Sequence, residues 1–215
     1  MEELFTYKEF INMMQKHGIK HRKRKFKHGE KITSESSKLD SVILLIEGYI
    51  SSYTRESPQK LLSIFEPGIF LRYCILEESP PTTEHIVLSE TCEIYEYKKQ
   101  DVEYALTLFP ENFGFQYFFL KRFERHLFYR SLLNNKAHKD KLYYAIKYLG
   151  ELIGSKDAQG NITLPSEITL KALIEYSTLS KAAFYRQRVS LLEKNILKRN
   201  RKTFIVQDGI MAELL

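Results

Sequence analysis

The sequence has no tryptophan and only two cysteines, Cys74 and Cys92, among its 215 residues. Two thiols are too few for a disulfide framework, a four-thiolate zinc site or a cysteine-only iron–sulfur cluster. Both are expected to be buried. Glycine and proline are sparse, at 9 and 6 residues, which excludes collagenous and low-complexity chains. Long apolar runs are missing as well: the longest strictly aliphatic one is Val42 to Ile46, against about 20 residues for a membrane-spanning helix. The start, Met1-Glu2-Glu3, lacks the basic residues and apolar stretch of a secretory signal, so a cytoplasmic chain with no membrane partner is expected. The six histidines include no His-x-His pair, and only His85 falls in the strand-rich region. With no nucleophile motif and no phosphate-cradling glycine loop, no catalytic residue, metal or cofactor is assigned and an enzyme is not expected.

What remains is a core-forming composition, 43% hydrophobic and 28% charged, in a chain long enough for one large domain or two small ones. The net charge of +6 conceals strong local bias. Residues 16–31 carry +7, residues 121–147 carry +6 and residues 181–202 carry +7, whereas residues 32–111 carry −8. Distribution, more than total, bears on anionic partners. The cluster His21-Arg22-Lys23-Arg24-Lys25 could meet DNA or membrane phosphates, or be only a solvated basic loop. The last is the reading adopted, with the cluster ahead of the barrel.

The acidic part reads as short strands: Val42 to Ile46, Tyr49 to Tyr53, Leu61 to Phe65, Ile69 to Ile75, Ile86 to Leu88 and Ile94 to Tyr97. Turn signals such as Glu47-Gly48 and Pro67-Gly68 separate them, a spacing that suggests a sandwich or barrel. A helix over about Thr6 to Lys16 precedes them, from the spacing of Phe5, Phe10 and Met13/Met14. After Pro110 the periodicity predicts a helix of some six turns, from Glu111 to about Asn134. Phe113, Tyr117, Leu120 and Leu127 fall on one face, and Phe115, Phe118 and Phe119 point elsewhere. A helix apolar on several faces needs several covers. The strand domain is one; the other is a second copy, with Leu120, Phe123 and Leu127 as a coiled-coil-like seam, or burial within a monomer. A further helix is expected over about Lys139 to Leu152, then a polar loop over Gly154 to Asn161.

From Thr163 the pattern is helix, tight turn, helix and two strands. Thr169 is placed as N-cap of Leu170 to Tyr176, Ser177-Thr178-Leu179 as the turn, and Ser180 as N-cap of Lys181 to Lys194. Ile196-Leu197-Lys198 and Thr203-Phe204-Ile205-Val206 would be strands joined by the basic tip Arg199-Asn200-Arg201-Lys202. On a helical wheel Phe184, Leu191, Leu192 and Ala183 face inward. Ala182, Arg186 and Val189 face outward, flanked by Tyr185 and Ser190; Arg188 points towards the packed side and must snorkel or pair. Small residues let a helix lie deep in a major groove, Arg can bond bidentately to guanine, and Ala or Val can meet a thymine methyl. Lys181, the Ser180 hydroxyl and the helix N-terminus suit phosphate, as do Arg199, Arg201 and Lys202. The expected DNA-contact set is therefore Thr169, Ser180, Lys181, Ala182, Tyr185, Arg186, Val189, Arg199, Arg201 and Lys202.

The run from Ile168-Thr169 through Thr178-Leu179-Ser180-Lys181, Ala183-Phe184-Tyr185-Arg186 and Leu191 to Leu197, ending at Lys202 to Val206, resembles the winged helix of the cyclic AMP receptor protein/fumarate-nitrate regulator (Crp/Fnr) family. Lys27-His28-Gly29-Glu30, Ile46-Glu47-Gly48 and Phe65-Glu66-Pro67-Gly68-Ile69-Phe70 stand at that family's glycine turns. The resemblance implies an α+β chain: an N-terminal jelly-roll effector domain (1–110), a dimerisation helix (111–138) and a C-terminal winged helix-turn-helix (139–215). It implies a homodimeric bacterial transcription regulator on double-stranded DNA, with RNA polymerase as partner and an unknown small-molecule effector as an option. The departures are specific. The family's Gly-Glu for the ribose reads Leu71-Arg72-Tyr73, and its Arg-Ser for the cyclic phosphate falls near Thr82-Thr83-Glu84, so cyclic AMP is not expected to bind. The Arg-Glu-x-x-x-Arg pattern of the recognition helix has become Lys181 to Arg186, in which only Arg186 carries over, so a different operator is expected. A sensor acting through protein contacts, without operator binding, is the alternative.

Overall fold

The computed structural model describes residues 5–32, 40–55, 58–72, 83–200 and 203–206. The chain divides into two compact units, one of residues 1–59 and 65–125, the other of residues 60–64 and 126–215. Both mix helices with antiparallel sheet.

The first unit opens with α1 (Tyr7–Lys16), started by a capping box. The Thr6 N–H donates to Glu9 Oε2 at 2.7 Å and the Glu9 N–H to Thr6 Oγ1 at 3.3 Å, satisfying two orphan donors. Strands β1 (Arg22–Lys27), β2 (Ser41–Glu47), β3 (Ile50–Thr54), β4 (Leu61–Phe65), β5 (Phe70–Arg72), β6 (Thr83–Val87) and β7 (Thr91–Lys98) follow along the chain, with residues 61–64 of β4 belonging to the second unit. Within the first unit the sheet order is β1-β7-β2-β5, and β3 pairs antiparallel with β6. Gly48, at φ +87° between β2 and β3, holds a conformation that L side chains avoid, and a Cβ there would lie 2.6 Å from the Thr91 carbonyl oxygen.

Two apolar clusters fill this unit. Ile43, Leu45, Ile50, Ile69, Val87, Cys92 and Ile94 make one. The other gathers Val42, Leu44 and Tyr97 with Phe10 and Met14 of α1 and with Phe115, Phe118 and Phe119. Phe10, fully buried, meets Phe70, Tyr97, Phe115 and Phe119 edge-on at 5.2–5.8 Å. Burial pushes the Cys92 thiol up to about 12, as an inert core thiol requires; Cys74 lies outside the described residues.

Two sequence expectations are corrected, and one helix is added. The basic cluster is no solvated loop ahead of the barrel. Residues 22–27 form β1, paired with β7 from Arg22↔Glu96 to Lys27↔Thr91. Lys23 Nζ lies 2.7 Å from Glu93 and Arg24 3.4 Å from Glu96, so this strand uses its cations against carboxylates of its neighbour. The stretch after β7, to which the sequence pattern assigned no element, is a helix, α2 (Lys99–Leu108), which buries Val102, Ala105 and Leu106. Finally, the polar loop at 154–161 begins with a short strand that pairs with residues 162 and 163, its turn held by Asp157, whose carboxylate accepts from the Gln159 and Asn161 N–H groups. The strand expected over Ile69 to Ile75 is described only as β5; its remainder lies outside the described residues.

A 3-10 turn at Pro110–Asn112 leads into α3 (Phe113–Asn134), 22 residues long. The second unit takes its last turns from 126 on, then α4 (Lys141–Ile153), β8 (Ser155–Lys156), β9 (Ile162–Thr163), α5 (Leu170–Ser177), α6 (Lys181–Glu193), β10 (Leu197–Asn200) and β11 (Thr203–Val206). The four strands lie in the order β10-β11-β9-β8. Leu142, Ile146, Leu149, Ile162, Leu173, Tyr176, Phe184 and Ile196 are fully buried here. Arg130 donates to the Tyr176 carbonyl at 2.6 Å, its guanidinium 5.1 Å from that ring's centre. Burial lowers the Arg130 pKa and pushes the Tyr176 phenol up to about 12. Ser63 Oγ and His126 Nδ1 share a buried hydrogen bond of 2.6 Å.

Candidate nucleic-acid interface

Helices α5 and α6 both begin on a hydroxyl cap. Thr169 Oγ1 accepts from the Ala172 N–H at 3.1 Å, and Ser180 Oγ from the Ala183 N–H at 3.3 Å. Between them the chain turns on Thr178, whose φ of 57° ends α5, and the Lys141 ammonium donates to its hydroxyl at 3.1 Å. A β-branched residue in the left-handed region costs about 1–3 kcal/mol, which the closely packed turn must offset. Asn195, also at φ 57°, ends the second helix and lets the chain pass straight into β10.

The two faces of α6 differ as its periodicity predicts. Ala183 and Phe184 are buried, and Leu191 and Leu192 half-buried. Lys181, Ala182, Tyr185, Arg186 and Val189 are exposed, Val189 by 51%. These five recur at i, i+1, i+4, i+5 and i+8, one stripe along about 12 Å of helix. Among the described residues neither Lys181 nor Arg186 forms a hydrogen bond or ion pair. Arg188 is half-buried, with Nε enclosed and without a hydrogen-bond partner among the described residues. The stripe thus presents the unpaired Arg186 among small and apolar neighbours, with the unpaired Lys181 and the Ser180 cap at its start.

Strands β10 and β11 pair from Leu197↔Val206 to Asn200↔Thr203, so two residues join them. Those two, Arg201 and Lys202, lie outside the described residues, and of Arg199 only the backbone is described. Lys198 is exposed on the same hairpin. Missed from sequence is Gln187, half-buried beside Arg186. Its amide donates to the His138 carbonyl at 2.6 Å and accepts from the Leu142 N–H at 3.0 Å. A glutamine on an amphipathic helix looks like any solvated polar residue.

On α3, Phe115, Phe118 and Phe119 are buried, whereas Leu120, Phe123 and Leu127 are 53%, 45% and 54% exposed. Phe113, Tyr117 and Phe128, not assigned to the dimerisation set, extend the uncovered apolar surface at 53%, 69% and 57%. Their signal was the same helical spacing.

In the strand-rich unit, Glu84 on β6 accepts from Lys31 Nζ and from Gln59 Nε2, each at 2.9 Å. Lys31, foremost, with Gln59 next, holds the Glu84 pKa below its ordinary value. A carboxylate that already occupies the nearby cation does not suit a phosphate ligand. Among the described residues no three His, Cys, Asp or Glu side chains gather where a metal could be held, and no described helix is long and apolar enough to cross a membrane.

No protein-family model matches the sequence, and no curated protein matches it significantly. Many solved structures share the fold. A cyclic nucleotide-binding domain containing protein from Listeria monocytogenes superposes with a TM-score of 0.81 at 20% identity, over 97% of this chain and 99% of that one. FixK2 from Bradyrhizobium japonicum gives 0.72 at 14% identity, over 92% and 98%. The c-di-GMP responsive global regulator CLP of Xanthomonas campestris, which links cell-cell signaling to virulence gene expression, gives 0.67 at 16%, over 94% and 100%. At such identities the likeness establishes the fold: mixed helix and antiparallel sheet, as in cyclic-nucleotide-binding and Crp-like proteins.

Proposed function

We propose that the protein is a transcription regulator of the Crp/Fnr type that binds DNA sequence-specifically as a homodimer. In this reading the two sheets of the first unit form a jelly-roll effector domain. Helices α5 and α6 with the β10–β11 hairpin form a winged helix-turn-helix, and the outer stripe of α3 joins two copies. The observation that carries the reading is the outward stripe of α6, where an unpaired Arg186 stands among Ala182, Tyr185 and Val189 behind a capped N-terminus. Arg186 would read a guanine edge, and Ala182 and Val189 thymine methyls, while Thr169, Ser180 and Lys181 hold phosphates. Arg199, Arg201 and Lys202 would add phosphate contacts from the hairpin. RNA polymerase is the proposed protein partner, and a small-molecule effector remains compatible with the first unit. That effector is not cyclic AMP. The family's basic residue for the cyclic phosphate is replaced near Glu84, whose carboxylate is paired with Lys31.

The test is selection of an operator from random DNA, followed by binding measurements over a range of salt. A half-site repeat spaced about 34 Å is expected, with binding that weakens steeply as salt rises. Arg186→Ala should cost about 1–3 kcal/mol at one base pair in each half-site and leave discrimination elsewhere intact. Selection that recovers no sequence, or binding that ignores both salt and Arg186, would overturn the proposal.

A further inference from the structure

We infer that Gln187 is the positioning residue of the DNA-reading helix: its amide clamps α6 to the first turn of α4 and so fixes which residues α6 presents. This rests on the DNA-binding reading above. Of α4, α5 and α6, only α4 begins without a side-chain cap, because Asp140 at its N-cap position makes no such bond. The first N–H groups of a helix have no partner within it. Leu142, second residue of α4, has its N–H satisfied from outside by Gln187 Oε1 at 3.0 Å. The same amide donates through Nε2 to the His138 carbonyl at 2.6 Å, so both ends of one planar group bridge the backbone on either side of residues 139–141.

The geometry constrains rotation. Phe184, fully buried, and Gln187 lie at i and i+3, one turn apart on the inner side of α6. An apolar side chain alone tolerates small rotations of its helix, because dispersion contacts are not directional. A paired donor and acceptor is directional, and bonds weaken steeply as the angle departs from linear. Arg186 is the residue immediately before Gln187, about 100° around the axis. A small rotation allowed by loss of the clamp would therefore carry the Arg186 guanidinium away from bidentate alignment with a base edge, while phosphate contacts, which follow long flexible cations, would adapt.

The test uses the full-length protein, its selected operator, and operators altered at the base pair read by Arg186. Gln187→Met removes both bonds at similar volume; Gln187→Glu can accept from Leu142 but cannot donate to His138. In Gln187→Met, hydrogen exchange at the Leu142 amide is expected to quicken roughly five- to tenfold, the loss of one net hydrogen bond. Discrimination at the Arg186 base pair should fall by about fivefold or more, the value of one base contact, with binding to random DNA unchanged. Gln187→Glu should recover Leu142 protection and part of the discrimination. Ile162→Val, an equivalent loss of stability in the same unit, should leave discrimination as in wild type. Unchanged Leu142 exchange in Gln187→Met overturns the clamp whatever the DNA result. Faster exchange with full discrimination overturns its role in reading while sparing the DNA-binding proposal. A wild-type protein that selects no operator overturns the DNA-binding proposal itself, and the positioning role with it. If Gln187→Met does not fold, Gln187→Glu decides: full wild-type discrimination without the His138 bond refutes the clamp.

Discussion

Replacing Leu120, Phe123 and Leu127 together by Ala should separate the proposed homodimer into folded monomers. Roughly half of each side chain is uncovered within one copy, at 53%, 45% and 54%. Complete burial of Leu or Phe is worth about 1.5–3 kcal/mol, so covering the remaining half contributes about 1 kcal/mol per residue. Two-fold symmetry uses each position twice, which gives about 6 kcal/mol for three positions, a loss of about 10⁴-fold in dimer affinity. Ala keeps helix propensity high, so the helical signal should persist. Sedimentation equilibrium across micromolar concentrations, with circular dichroism as the folding check, measures both quantities. A wild type that is monomeric throughout would refute the reasoning at its root. A triple variant that dimerises as tightly as wild type would show that another surface joins the copies.

Two further outcomes bear on the first unit. Phe10→Ala removes a fully buried ring that meets four others edge-on, and should lower unfolding free energy by about 3–5 kcal/mol in denaturant titrations; a change below about 1 kcal/mol would contradict the packing. His21, stacked on Tyr95 at 3.8 Å, has its pKa lowered from 6.5, chiefly by burial and next by Lys23. The unfolded chain therefore binds this proton more readily, so its contribution to stability is complete above pH 6.5 and falls away as pH drops through the lowered folded value. His21→Phe should flatten that part of the stability profile, and an unaltered slope in pH-dependent melts would remove His21 as its source.

Much of the helical architecture was legible because caps and apolar spacing are local properties. Thr169 and Ser180 cap the helices the pattern assigns to them, and Phe115, Phe118 and Phe119, which the wheel separates from the face of Phe113, Tyr117, Leu120 and Leu127, are the ones that are buried. What was not legible depends on partners distant in sequence. Arg22 to Lys27 has no alternation, since Phe26 is its only buried side chain; the segment becomes a strand through carboxylates at Glu93 and Glu96, some 70 residues away. Helix α2 buries only Val102, Ala105 and Leu106, too short an apolar pattern to stand out. Strands β8 and β9 are two residues each, below the length at which period-2 alternation can register. The role of Gln187 is of the same kind, because its two backbone partners lie more than 40 residues upstream.

The cations of β1 have a consequence for the company the protein keeps. This strand closes one side of its sheet, where unpaired backbone groups would otherwise template the addition of a foreign strand. Arg22, Lys23, Lys25 and Lys27 are all exposed there. A second copy approaching edge to edge would bring like charges together, so this rim discourages sheet extension and the aggregates that grow from it. The chain thus carries an open strand edge guarded by charge and an apolar helix stripe with no such guard, so in the proposed dimer the copies would meet at the stripe and not at the strand edge.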